Sequence, residues 1–344
     1  MSNEHSAPNF RRNMGPRVVA LGGGTGLSTM LRGLKHYSDN ITAIVTMADD
    51  GGGSGVLRQD LGMPPPGDIR NCLLALANTE PVMSELLGYR FTEGLLKGQS
   101  FGNLFLAALN EISPSFDVAV RRMSEVLAIT GRVLPVTNED VNLEAEFENG
   151  ARVVGESKIF ECKKEQDCRI RCVRMRPEHP QALAESLEAI AAADMILLGP
   201  GSLYTSIIPN VLVSGVAEAI AQSDALKIYV CNVMTQEGET EGYSVADHIR
   251  AIFHHANERL FDYCLINSRP ISEEVCARYA LEGAAPILGG RRECEALHVQ
   301  LIEKPVAQIG EDGKVKHDPD ALAREIFCIY SEYGAIRIAP DRKK

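Results

Sequence analysis

Val18-Val19-Ala20-Leu21-Gly22-Gly23-Gly24-Thr25-Gly26-Leu27-Ser28-Thr29-Met30-Leu31-Arg32-Gly33-Leu34 is the stretch from which the fold is read. A short apolar run enters a glycine turn, and apolar residues at helical spacing (Met30, Leu31, Leu34) follow it. Strand, glycine turn and helix start together describe a backbone anion site. The first N–H groups of the helix have no intrahelical acceptor, and its dipole favours negative charge. Glycine lets a phosphate approach the backbone closely. Gly22, Gly23, Gly24, Thr25, Gly26, Leu27 and Ser28 are therefore read as holding phosphate, most simply that of a nucleotide. The turn is not a P-loop, because the Lys-Ser/Thr pair is absent, and Leu27 replaces the third glycine of the dinucleotide fingerprint. A ligand-free strand-to-helix turn is the competing reading.

The same logic recurs along the chain. Ile41–Met47 reads as a second buried strand and ends in Ala48-Asp49-Asp50-Gly51-Gly52-Gly53-Ser54-Gly55, a glycine-rich turn opened by two carboxylates. Asp49 and Asp50 suit a Mg²⁺ ion, a ribose or sugar hydroxyl, or the orientation of a nucleophile; capping of their own turn is as good a reading. Asp68 reads as a helix cap after Pro64-Pro65-Pro66-Gly67, and Asn71, one turn on, as pointing back toward the cleft. Met195–Leu198 is a strand running into Gly199-Pro200-Gly201-Ser202-Leu203-Tyr204-Thr205. There Gly199, Gly201, Ser202, Tyr204 and Thr205 are candidates for nucleotide binding, with Ser202 capping the helix through Thr205 and the Tyr204 ring packing on a base or sugar. A capped helix with a core tyrosine is the plainer alternative. Asn232, Met234, Thr235 and Gln236 follow another strand and supply the amide and hydroxyl groups that orient a base or sugar.

Buried strands alternating with amphipathic helices predict an α/β fold: a doubly wound, mostly parallel Rossmann-like sheet with helices on both faces. From Gly131 the period shortens, and strands are expected at 133–136, 141–147, 152–154, 157–161 and 169–175, with a hairpin turn at Asn149-Gly150. Residues 132–176 are read as a β-rich insertion, residues 17–331 as a single domain, and 1–16 (disordered) and 332–344 as tails. Right-handed crossovers place the carboxyl ends of parallel strands on one edge, so the turns after residues 21, 47, 198 and 231 can line one cleft.

Composition narrows the class. The chain has 344 residues, 45% hydrophobic and 24% charged, within the range of soluble proteins. A net charge of −11 argues against broad nucleic-acid binding, and no stretch is apolar for long enough to span a bilayer. Nine cysteines without an export signal suggest reduced thiols in the cytoplasm. Cys162, Cys168 and Cys172 lack zinc-knuckle spacing and read as small core residues in strands; His254-His255 reads as packing or surface. No nucleophile–base set emerges from residue order alone.

Taken together, Gly22–Ser28, Ala48–Gly52, Pro64–Asn71, Ala193-Asp194 with Gly199–Ser206, and Cys231–Gln236 with Gly238-Glu239-Thr240 resemble the gluconeogenesis factor family, over roughly residues 17–300. That family is similar in fold to 2-phospho-L-lactate transferase. The resemblance implies a cytoplasmic binder of UDP-sugars, notably UDP-N-acetylglucosamine, associated with gluconeogenic growth, cell shape and envelope synthesis. Gly22–Ser28 would hold the diphosphate, Asp49 and Asp50 would face the sugar or a metal such as Mg²⁺, and the turns from Gly199 and Asn232 would shape the pocket. A sensor acting on a protein partner in envelope synthesis is the leading expectation, with homo-oligomers left open. A nucleotide-diphosphate-dependent transferase is the alternative. Tubulin-like GTPases share Gly-Gly-Gly-Thr-Gly, but there the loop follows several strands, whereas here it follows the first.

Overall fold

A computed structural model describes residues 15–166 and 168–338. The chain begins β1 (Val18–Gly22), α1 (Gly24–Leu34), β2 (Ile41–Val45), α2 (Gly52–Leu61), α3 (Gly67–Leu76), α4 (Pro81–Gly88), α5 (Phe101–Glu111), α6 (Phe116–Val126) and β3 (Arg132–Pro135). An excursion follows, of β4 (Asn142–Phe147), β5 (Arg152–Val154), α7 (Glu156–Gln166) and β6 (Ile170–Arg176). Next come α8 (Ala184–Ala191), β7 (Met195–Leu198), a π-helical turn Leu203–Ile207, α9 (Ile208–Val211), α10 (Val216–Gln222), β8 (Leu226–Val230), α11 (Val245–Ala256) and β9 (Tyr263–Asn267). The last elements are α12 (Glu273–Ala280), α13 (Arg291–Ala296), β10 (Gln300–Lys304), a hairpin of β11 (Ala307–Ile309) and β12 (Val315–His317), and α14 (Pro319–Ile338).

Seven strands form the central sheet in the order β10-β9-β8-β7-β1-β2-β3, and every pairing in it is parallel. β1 and β2 are buried at every position, as expected of strands covered on both faces. The chain moves outward from β1 through β2 to β3, then returns to β7 on the other side of β1. Right-handed crossovers in both directions put helices on both faces and open a crevice at the carboxyl ends of β1 and β7. α1 packs between α3 and α14 on one face, while α11 meets α9 and α13 on the other. α11 starts at a capping box: the Ser244 hydroxyl accepts the Asp247 amide (3.2 Å) and Asp247 accepts the Ser244 amide (2.9 Å).

The excursion forms a three-stranded antiparallel sheet, β5-β4-β6, turning at Asn149-Gly150 as expected. Two expectations are corrected here. Arg132–Pro135 is the edge strand of the main sheet beside β2, not part of the insertion. Residues 157–161 are helical, within α7. The inward face of that helix carries Glu156, Ile159 and Lys163, so its apolar period is too weak to read, and the Asp50 carboxylate caps its start by accepting the Ser157 amide (2.7 Å). Cys162 accordingly lies on α7 rather than in a strand, half-buried like Cys168 and Cys172. His255 ties α11 to β6: its Nδ1 faces the Ala251 carbonyl (2.7 Å) and its Nε2 accepts the Val173 amide (2.9 Å). Burial pushes it down to about 4, so it stays neutral.

Of the expected tails, residues 1–14 and 339–344 lie outside the described residues. Gly15 and Pro16 are already tied down, their carbonyls accepting from Asn40 Nδ2 and Ser38 Oγ (2.8 Å each). α14 continues through Ile338. Among the described residues no helix is long and apolar enough to cross a membrane.

Candidate nucleotide-binding cleft

The turns after β1, β2, β7 and β8 open into one cavity of about 840 Å³ at the carboxyl edge of the sheet. The N-cap residue of α1, Gly23, has no side chain to cap the helix that enters it. Gly24, at φ +63°, bends the chain into the helix in a conformation that side chains rarely adopt. Of the expected phosphate-binding turn, Gly23, Gly24, Thr25, Gly26 and Ser28 line the cavity, joined by Thr29 and Arg32 farther along the helix. Gly22 and Leu27 are buried behind them. Gly26 has a further reason to be glycine: a methyl there would sit 2.7 Å from the Pro200 carbonyl carbon, so the turns after β1 and β7 touch through backbone.

The paired aspartates point apart. Asp49 lines the cavity, with Oδ1 accepting the Gly51 amide (2.9 Å), while Asp50 lies outside it against α7. Asn71 faces in, its oxygen held by Arg70 Nη2 (2.7 Å). Two carboxylates not foreseen as ligands complete the acidic wall. Asp68 lies within the first turn of α3, whose N-cap is Pro66, and accepts the amide of Gly24 rather than capping its own helix. Loss of solvation and the neighbouring Asp49 charge push it up to about 6. Glu156 reaches in from the insertion, hydrogen-bonded to the Thr205 hydroxyl. Desolvation, then the charges of Asp49, Asp68 and Asp50, push it up to about 8. Among the described residues no group of three or more His, Cys, Asp or Glu side chains is arranged to hold a metal ion. With Asp49 in the cavity and Asp50 on the start of α7, the diverging pair does not fit the Mg²⁺ site suggested by its sequence.

The turn after β7 contributes Gly201, Ser202 and Thr205, while Gly199 and Tyr204 lie outside the lining. The Tyr204 side chain is buried, its hydroxyl 2.9 Å from that of Tyr243, so its ring packs on protein. Nor does Ser202 cap the helix; its hydroxyl accepts from Gln236 Nε2 (2.9 Å). The amides at this helix start go to Glu239 instead. One buried carboxylate oxygen accepts from Tyr204 N (2.7 Å) and Thr205 N (3.2 Å). Burial pushes Glu239 up to about 7, against the pull of those amides. A protein carboxylate thus occupies the anion position at the turn after β7, whereas at α1 Asp68 takes the Gly24 amide and Thr25 and Gly26, next along, line the cavity.

Asn232 and Gln236 line the cavity but spend their amides on joining loops. Asn232 accepts the Gly201 amide (3.1 Å) and donates to the Gly201 carbonyl (2.8 Å). Met234 and Thr235 also line the wall, Thr235 exchanging backbone hydrogen bonds with the Ala285 carbonyl and, through its hydroxyl, with the Ala285 amide. The outer rim comes from a segment that sequence reasoning left unread. There the β11–β12 hairpin presents Lys314, Lys316 and His317, and α12 presents Tyr279, whose hydroxyl accepts the Val315 amide (2.9 Å). Lys316 pairs with Asp312 (2.7 Å), and buried His317 is pushed down to about 4. Asp312-Gly313 is a local turn signal for that hairpin, but nothing in its sequence ties it to the cleft.

Residues 18–307 match the family model described as 2-phospho-L-lactate transferase CofD. A putative gluconeogenesis factor of Thermoanaerobacterium thermosulfurigenes is 55% identical, over 92% of this chain and 97% of its own. The gluconeogenesis factor of Bacillus subtilis is 46% identical over 92% and 99%. A crystal structure of a Bacillus halodurans protein superposes with a TM-score of 0.87 at 45% identity, covering 92% of this chain and all of that one. By sequence and by fold, the chain belongs to the CofD family and, within it, to the gluconeogenesis factors.

Proposed function

We propose that the protein is a cytoplasmic sensor that binds a UDP-sugar of the UDP-N-acetylglucosamine type. In this reading it adjusts carbon flux, cell shape and envelope synthesis through a protein partner and leaves the ligand intact. The observation that carries the reading is the N-terminus of α1, where Asp68 takes the Gly24 amide and Thr25 and Gly26, next along, line a cavity large enough for a nucleotide sugar. The diphosphate sits against the α1 turn, with Thr25, Thr29 and Arg32 along the same helix face. Sugar hydroxyls meet the acidic wall of Asp49, Asp68 and Glu156. The family resemblance supports the uridine nucleotide. Spent amides at Asn232 and Gln236 favour a preformed pocket over one assembled by the ligand.

The transferase reading draws on the family and on two carboxylates, Asp68 and Glu156, that titrate near neutrality, as a proton-transferring group must. Calorimetry with UDP-N-acetylglucosamine, GTP and NAD, followed by product analysis, tests both readings. Tight binding of the UDP-sugar with no product supports the sensor, and release of UMP supports the transferase. Failure of every uridine compound to bind refutes the site.

A further inference from the structure

The small sheet β5-β4-β6 buries one face and presents the other to solvent. Leu143, Ala145 and Phe147 of β4, with Val173 and Met175 of β6, belong to the core. Alternation therefore turns Glu144, Glu146, Arg174, Arg176 and Arg152 outward. The register shifts between Glu146 and Phe147, leaving Arg171 as an extra residue on β6 that also reaches Glu146. Four guanidiniums thus stand over two carboxylates. Glu146 pairs with Arg152 (2.8 Å), Arg174 (3.0 Å) and Arg171 (3.2 Å), and Glu144 with Arg176 (2.8 Å). The two carboxylate side chains are 9% and 7% exposed, whereas the arginines are exposed to between 41% and 66%. The carboxylates form a floor that orients the guanidiniums, and a guanidinium has five donors, so some of each set face solvent. Glu178, exposed and 3.6 Å from Arg176, lies at the margin. The result is a basic face on a chain whose net charge is −11. Beside it opens a cavity of about 280 Å³, lined by Arg174, Met175, Glu178, His179 and Leu212.

We propose that this face docks an extended acidic segment of a protein partner, whose carboxylates pair with the arginines and whose one bulky apolar side chain enters the neighbouring cavity. Charge complementarity sets the sign of the occupant. Spacing sets its form: Arg174 and Arg176 are two residues apart on one strand, roughly 7 Å, which is the repeat of alternate side chains along an extended peptide. Across the sheet, Arg152 on β5 and Arg174 on β6 flank β4 and stand about 10 Å apart. Asn142, Val154 and Cys172 fill the rest of the face, so no aromatic ring offers a base a stacking platform. Together with the net charge, this favours peptide carboxylates over a nucleic acid. The face is tied to the cleft through the chain itself, because β5 runs on through Gly155 to Glu156 in the cavity wall. The inference gives a place to the partner of the sensor reading and rests on that reading for its purpose alone.

Fluorescence anisotropy of the full chain with a fluorescein-labelled peptide of alternating Glu and Ser around a single Phe, without nucleotide, tests the proposal. The peptide is expected to bind and to weaken as salt rises. Replacing its Phe by Ser should cost about tenfold or more. Arg152→Gln combined with Arg171→Gln leaves Arg174 on Glu146 and should weaken binding about fivefold, with an unchanged melting temperature and an unchanged affinity for UDP-N-acetylglucosamine. Should that variant not fold, the Phe-to-Ser peptide and a peptide with Lys for Glu, both against the wild type, decide the matter. No binding of the acidic peptide, equal binding of the Lys peptide, or indifference to the folded double substitution would overturn the inference. So would tighter binding of a single-stranded oligonucleotide or of phosphatidylglycerol vesicles to the same arginines. A wild type that takes the peptide but no UDP-sugar refutes the sensor and leaves the docking face standing.

Discussion

Neutralising Glu239 should change how the stability of this protein depends on pH. Its carboxyl is buried and sits at about 7, against 4.5 for a free glutamate. A shift of that size corresponds to roughly 3 kcal/mol of differential stability between the two protonation states. The sign follows from proton counting. Between those two values the folded state holds the proton that the unfolded state has released, so the contribution of Glu239 is full below about 4.5 and is lost as the pH rises through about 7. Glu239→Gln keeps an oxygen for the Tyr204 and Thr205 amides but cannot ionise. Its new NH₂ replaces an oxygen that already has no partner, which costs about 1–3 kcal/mol at every pH and moves the curve without tilting it. Urea unfolding of both proteins from pH 4.5 to 8.5 should therefore show the variant gaining roughly 3 kcal/mol on the wild type across the range. Parallel curves would refute the burial-raised titration of Glu239.

Thr25→Val should weaken nucleotide binding in calorimetry with little change in melting temperature, because Thr25 is exposed at the cavity mouth. Glu156 ionises as the pH rises through about 8. Wild-type affinity for a diphosphate should therefore fall over that interval, while Glu156→Gln holds its affinity; identical titration profiles would count against Glu156 facing the ligand. Gly26→Ala forces apart the turns after β1 and β7. It should cost about 1–3 kcal/mol in denaturant unfolding and abolish nucleotide binding together, as overpacking at a backbone contact does.

Much of the fold is legible because its signals are local. Val18–Leu21, Ile41–Val45 and Met195–Leu198 are apolar runs whose flanking glycine turns mark strand ends, and a buried parallel strand leaves that pattern in any chain. α11 buries Val245, Ile249 and Ile252, which recur at helical spacing in the sequence. Legibility fails where a local signal is weak or a partner is distant. α7 shows two charged residues on its inward face, so period alone reads it as strand. Asp49 and Asp50 are adjacent in sequence, yet one faces the cleft and the other a helix start contributed by the insertion.

By itself the sequence determined that parallel strands end in open turns and that the first of these turns can receive an anion, because strand burial and helix-start amides are properties of neighbouring residues. Only the tertiary structure decided what faces each turn: Asp68 takes the Gly24 amide of the first. Glu239 closes the second from 34 residues away in the chain, and Glu156 and the β11–β12 hairpin reach the cleft from elements that no local pattern connects to it. Such convergence is set by crossovers and packing between segments remote in sequence, and these leave no periodicity to read.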